Sequence, residues 1–337
     1  MANKNYDVIT YGRSSIDLYS NNIGAPFIDI SEFGAFVGGS PLNISVGCSR
    51  LGLRAALLTG VGDDQVADFI LNFLEKEKVD TNFIPRVKGA RSSAVILGIE
   101  PPDRFPLVYY RDNAADSQVG IDDVIKVDFK RCKLLEISAT ALNKEPSRSA
   151  AFFATEQAVI AKIPIVIDLD FRADQWHDPR AFGITTRAIL PRAKVAIGTE
   201  EEVLATVLSD PSQITIKHQQ ISAPEIRGDI NKAIDTILDL GVEVLVVKKG
   251  AEGCSVYEKG SEEQKVPGFP VEILNILGAG DAFASGFIYG FLKGWDNYKA
   301  ARMGNACGAI VVTRNGCANF MPFEKEALNF IESKGGF

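Results

Sequence analysis

The order in which apolar runs and helical patterns alternate constrains this chain more than any single motif. Residues 7–11 and 55–60 read as short strands, and each leads into a helical segment, 38–51 and 64–78. In the second of these, Val66, Phe69, Ile70, Phe73 and Leu74 recur at helical spacing. A strand followed by a helix, repeated, calls for a parallel sheet covered on its faces by helices. The rhythm resumes with strands at 134–138, 165–169 and 195–199 and helices at 146–162, 200–208 and 230–240. The β-branched run 242–248 reads as a buried strand, and 254–257 as the start of a hairpin return. The fold expected is α/β, a three-layer α/β/α sandwich on a mainly parallel central sheet, in one domain over 1–337.

Two stretches interrupt this order. Residues 93–99 and 107–111 look like strands joined by the proline-rich segment 100–106. Together with 22–36, which carries Phe27, Phe33 and Phe36, they predict a small β-layer over a site, a lid formed by about 14–37 and 91–117. The polar stretch 209–228, with Pro211, Pro224 and Gly228, predicts a surface insertion.

Several residues sit where chemistry is done. Gly278-Ala279-Gly280-Asp281 follows an apolar run, 271–277, that reads as buried. It opens a helix whose Phe283, Phe287 and Phe291 would form one stripe. The first N–H groups of a helix have no partner in their own helix, and glycines let an anion approach them. Asp281 is either an ordinary first-turn acid or a general base beside a bound anion. Gly38-Gly39-Ser40-Pro41-Leu42-Asn43 opens another helix with Pro41 at a favoured first position, and the Asn43 amide could reach a polyol. Asp17, after a buried-looking strand, is a turn acid or an acceptor for substrate hydroxyls. Arg111, beside Tyr109 and Tyr110, is either solvated or a carboxylate clamp. Asp168, Asp170 and Arg172 lie at a strand's C-terminal end, where ligands of parallel sheets bind; they form a salt-bridge network or a substrate and metal site. Glu200, Glu201 and Glu202 suit a helix's positive end. The late helix 300–312, rich in Gly304, Ala306, Gly308 and Ala309, allows close packing or room for a flat ring.

Composition removes other classes. A net charge of −7 argues against a general nucleic-acid or anionic-membrane surface. No apolar run approaches the ~18 residues of a membrane span, and the polar start runs into a strand without a signal peptide. The five cysteines are scattered, and only two histidines, His177 and His218, are present. A structural zinc site is not expected, reduced thiols in a cytoplasmic protein are, and acid–base work falls to carboxylates. The G-x-G-x-x-G of a dinucleotide site is absent, since Gly12 is followed by Arg13 and Ser14. An altered Asp281 or a broken glycine motif would favour a non-catalytic sugar- or nucleotide-binding regulator on the same fold, and neither is seen.

The glycine motifs at 38–43 and 278–281, about 240 residues apart, together resemble the PfkB/ribokinase family of carbohydrate kinases, over Gly12 to about Phe323. Residues 12–19, 105–116, 140–148 and 168–176 are similar to the branch that acts on deoxy keto sugar acids. The resemblance implies a ribokinase-like fold and ATP-dependent phosphorylation of the C6 hydroxyl of 5-dehydro-2-deoxy-D-gluconate. The alternatives are 2-keto-3-deoxygluconate, then fructose or ribose. Asp281 would be the general base, and Gly278, Ala279 and Gly280 would shape the anion hole. Asp17, Gly38, Gly39 and Asn43 would hold sugar hydroxyls, with Arg111 and Arg172 on the carboxylate. Thr199, Lys248, Gly250, Gly253 and Asn305 would contact the nucleotide, and Glu202 would act on Mg²⁺ through water. A homodimer through the lid is implied. Two departures stand out: Asn275-Ile276 replaces the family's Asp-Thr, which bears on a K⁺ site, and Thr199 replaces its Asn.

Overall fold

The computed structural model describes residues 5–101, 104–216 and 224–337. The first residues of the chain, the tip of the 100–106 connection and the middle of the 209–228 stretch lie outside them. In chain order the main strands are β1 (Val8–Tyr11), β2 (Ser15–Ser20), β3 (Phe33–Gly38), β4 (Ala55–Leu58), β5 (Ser93–Leu97), β6 (Leu107–Tyr110), β7 (Leu135–Ser138), β8 (Ile165–Asp168), β9 (Val195–Thr199), β10 (Val244–Lys248), β11 (Gly253–Glu258) and β12 (Gln264–Pro267). The main helices are α1 (Ser40–Arg50), α2 (Gln65–Lys76), α3 (Ser147–Ile160), α4 (Arg180–Ile189), α5 (Glu200–Ala205), α6 (Ile230–Asp239), α7 (Ala279–Leu292), α8 (Asn297–Val312) and α9 (Glu324–Ser333).

Eight strands form the central sheet in the order β12-β11-β10-β9-β8-β7-β1-β4. The pairings from β10 to β4 are parallel, and β11 and β12 are added antiparallel at one edge. Successive residues face opposite layers, because side chains alternate along a strand. Ile165 and Ile167 join the core under α3, α4 and α6, and Val166 joins the core under α7, α8 and α9. The small residues of α8 serve helix packing: a Cβ on Gly304 would lie 2.9 Å from the Phe283 ring, and one on Gly286 would lie 2.7 Å from the Met303 carbonyl.

The chain adds β4 on one side of β1 and then places β7 on the other. This reversal puts the carboxyl ends of β1 and β7 at the point where open α/β sheets bind ligands. A second, four-stranded sheet in the order β3-β2-β5-β6 stands over that end. It is rooted where Gly12–Ser14 carries the chain from β1 into β2, and where Gly39 carries it from β3 into α1.

The apolar run 271–277, expected to be buried, is only partly so. Only Asn275 in it is fully buried, and Ile273 is 45% exposed. The run is held as a loop, with the Leu274 and Asn275 N–H groups donating to the Val312 carbonyl. Phe36 is also less exposed than its surroundings in sequence predict, since it packs on Tyr19 and Phe320.

Candidate active site

The start of α7 is built around Gly278. Its φ of +80° is left-handed, and a Cβ there would lie 2.8 Å from the Cys317 sulfur, so both conformation and space call for glycine. The Ala279 N–H donates weakly to the Ile276 carbonyl at 3.3 Å. That leaves the N–H groups of Gly280 and Asp281, in the positive first turn, as the free donors. Lys248 leans over the same turn: a Cβ on Gly280 would lie 3.0 Å from its Nζ. A glycine, two free N–H groups and an ammonium therefore converge on one anion-sized position.

Asp281 lies on the cleft side of this turn. The Asn43 amide donates to its Oδ2 at 2.7 Å, joining the two glycine motifs. Burial, reinforced by the negative Asp170, pushes its pKa up to about 6, while Asn43, Ser40 and Lys248 pull it back. A carboxylate tuned towards neutral pH is a better proton acceptor than an exposed one.

The ends of β8, β9 and β10 bring a charged network beside Asp281. Lys248 Nζ lies 3.7 Å from Asp168 and 3.6 Å from Glu202. Arg172 lies 2.5 Å from Asp170 and 3.7 Å from Glu202. The Ser40 hydroxyl donates to Asp168 at 2.8 Å and the Ser138 hydroxyl to Asp170 at 3.1 Å. The two aspartates diverge. Burial and the charges of Asp170 and Glu202 raise the Asp168 pKa, whereas Arg172 and Arg13 overcome burial and hold Asp170 below the usual range. Glu202 also closes a capping box, accepting the Thr199 N–H at 2.8 Å. The buried Asp168 Oδ1 has no hydrogen-bond donor. Among the described residues no three acidic, His or Cys side chains form a ready metal cage. The donor set, Glu202 and one unsatisfied Asp168 oxygen, suits a divalent ion that leans mainly on phosphates and water.

On the opposite wall, Asp17 packs on Gly38 so closely that a Cβ there would fall 1.9 Å from its carboxylate. The Ser15 hydroxyl donates to Asp17 Oδ1 at 2.7 Å, and Ser15 in turn accepts from the Arg13 guanidinium at 2.9 Å. Gly39 has φ of +107° and abuts the Arg13 carbonyl. Asp17, Gly38, Gly39 and Asn43 thus line one cleft with Asp281. Arg111 does not stand free there: it is buried against Asp116 at 2.6 Å and donates to the Thr140 carbonyl.

Lys248 ends β10, and a turn through Gly250 leads to Gly253 at the start of β11. Gly250 is exposed with nothing near its Cβ position, whereas a Cβ on Gly253 would strike the Val266 carbonyl. Asn305 donates its amide to the carbonyls of Val266 and Pro267, tying α8 to the edge strand. Thr199 caps α5.

Sequence reasoning missed Arg13, Ser40, Tyr109 and Glu136. Arg13 follows directly from the end of the first strand, which was its one available signal. Glu136, on β7, is fully buried with no partner on either oxygen, and burial drives its pKa well up. A surface depression of about 560 Å³ lined by His177, Arg180 and Ile184 lies elsewhere and holds none of these groups.

An acid at a helix start, backbone donors for an anion and a polar wall for hydroxyls on this sheet define a phosphotransferase acting on a small alcohol. The pfkB family carbohydrate kinase model matches residues 5–324, and the chain belongs to that family. It is 34% identical over 332 residues to the 5-dehydro-2-deoxygluconokinase of Clostridium tetani, covering 98% of this chain and 94% of that one. It is 33% identical over 330 residues to the protein of the same name from Geobacillus thermodenitrificans, covering 98% and 94%. Among solved structures, a fructokinase double mutant from Vibrio cholerae O395 with fructose, ADP and potassium ion bound has the same fold, with a TM-score of 0.82 at 24% identity over 98% of this chain and 99% of that one.

Proposed function

We propose that this carbohydrate kinase transfers the γ-phosphoryl group of ATP to the C6 hydroxyl of 5-dehydro-2-deoxy-D-gluconate. The observation that carries the reading is the Asn43–Asp281 contact, which sets a carboxylate of raised pKa beside free N–H groups at the start of α7. The similarity to proteins named for that substrate supports the choice of sugar.

Asp281 orients the hydroxyl and accepts its proton as the phosphoryl group arrives, and Asn43 holds the carboxylate in place. The Gly280 and Asp281 N–H groups, with Lys248 above, stabilise the charge on the phosphoryl oxygens. Donors of this kind are worth roughly 3–4 kcal/mol in acyl-transfer enzymes. Asp17, Gly38 and Gly39 hold the other hydroxyls. The loop at 250–253 and Asn305 border the nucleotide, and Thr199 with Glu202 face its phosphates. Mg²⁺, held by the phosphates and through water by Glu202, would neutralise their charge. Asn275 presents an amide where the family's aspartate would stand, which weakens the support for K⁺.

The small sheet is the lid of this reading: closing it over the sugar excludes water. Its strand β6 carries Tyr110 at 59% and Val108 at 44% exposure, and the connection between β2 and β3 carries Ile28 at 90%, apolar surface that favours pairing of two lids in a homodimer. The five free, buried cysteines fit a cytoplasmic setting. An ADP-release assay over 5-dehydro-2-deoxygluconate, 2-keto-3-deoxygluconate, fructose and ribose tests the assignment. The highest kcat/KM is expected on the first; a preference for any other overturns the substrate.

A further inference from the structure

Four cations surround the cleft, and three are already committed. Arg111 is ion-paired with buried Asp116, Arg172 with Asp170, and Lys248 sits between Asp168 and Glu202. Arg13 differs. It is 8% exposed and its charge acts on Asp17 and Asp170, yet among the described residues no carboxylate comes within ion-pairing distance of it. Its one hydrogen bond uses Nη1, towards Ser15. Nε and Nη2 have no hydrogen-bond partner among the described residues and are not fully enclosed. The guanidinium lies over the Tyr109 ring of β6 at 5.2 Å, which fixes its plane.

We propose that Arg13 is the residue that reads the carboxylate of the sugar acid, with Tyr109 as its backing. This rests on the kinase reading above and replaces Arg111 in that role. A guanidinium presents paired donors matched to a carboxylate, and the two left open here are the unused edge of that fork. The Arg13–Ser15–Asp17 relay further links the cation at the acid end to the carboxylate that holds hydroxyls.

The test compares Arg13→Gln and Arg13→Lys with the unaltered protein on 5-dehydro-2-deoxygluconate and on fructose, a neutral ketose. Arg13→Gln is expected to raise KM for the acid about 10- to 100-fold, the scale of a charge-assisted hydrogen bond. KM for ATP and kcat should each stay within a few-fold, and KM for fructose, which feels Arg13 only through the Ser15–Asp17 relay, should rise far less than KM for the acid. Arg13→Lys should recover part of the loss. Turnover of fructose in the same preparations shows that the variants are folded. An equal change for acid and neutral sugar overturns the role of Arg13, as does acid selectivity that survives Arg13→Gln but is lost in Arg111→Lys. If the unaltered protein phosphorylates fructose and no sugar acid, the functional reading itself fails, and that outcome is visible before any variant is made.

Discussion

Replacing Asp281 by Asn should make the protein more stable while nearly abolishing turnover. The carboxyl is displaced from 3.8 to about 6, chiefly by burial. At about 1.4 kcal/mol per unit, holding it ionised at neutral pH costs the fold at most about 3 kcal/mol. The side chain opens on the cleft, so solvent screens part of this, and about 1–3 kcal/mol is expected. Because the folded-state pKa lies above the unfolded one, stability is whole below about pH 4 and is lost as pH rises through about 6. Asn carries no charge, escapes the loss and keeps an oxygen for the Asn43 amide. For 337 residues at about 2.1 cal/mol/K each, the gain is about 1.5–4 °C in melting temperature. Thermal melts of both proteins, free of ligands, should therefore separate at about pH 7.5 and converge near about pH 4. Turnover should fall by about 10²–10⁴. Equal melting temperatures at neutral pH, a gap that persists in acid, or near-normal turnover would each refute the reasoning.

Other outcomes follow from the same geometry. The kcat/KM profile should lose activity as pH falls through about 6, where the base protonates. Asn43→Ala removes a donor that favours the ionised form, so this limb should move up by about one unit; a downward shift would contradict the contact. Gly38→Ala drives a methyl into Asp17, and KM for the sugar should rise at least about tenfold with KM for ATP little changed. Glu136→Gln should raise the melting temperature increasingly as pH climbs above about 4.5, because Gln omits a buried carboxyl whose pKa lies well above its ordinary value. A gain independent of pH would show that the acid is not titrating there.

The α/β class and the parallel order were legible because strands buried on both faces leave unbroken apolar runs. The helix start at 278–281 was legible because glycines ahead of a helical pattern mark a turn. The stretch 271–277 reads as buried because it is apolar, and composition does not reveal that it forms a partly exposed loop anchored on Val312. The Ser40–Asp168 and Asn43–Asp281 contacts span 128 and 238 residues of sequence, and no local pattern announces them. Arg111 was attractive by its aromatic neighbours, but Asp116, five residues on, claims it. Arg13 and Glu136 escaped notice because a charge beside a strand has meaning only once its neighbours are known.

The small sheet meets the body of the protein where Gly12 and Gly39 carry positive φ of 144° and 107°, and both roots border the residues that face the sugar. For anyone retargeting this scaffold to a different alcohol, the sheet therefore has two unequal halves. Changes on its outer face leave the bed of the sugar untouched but bear on the pairing of two lids. A substitution at either root shifts the angle of the sheet and the bed of the sugar together, so a screen for new specificity gains most from varying both roots at once.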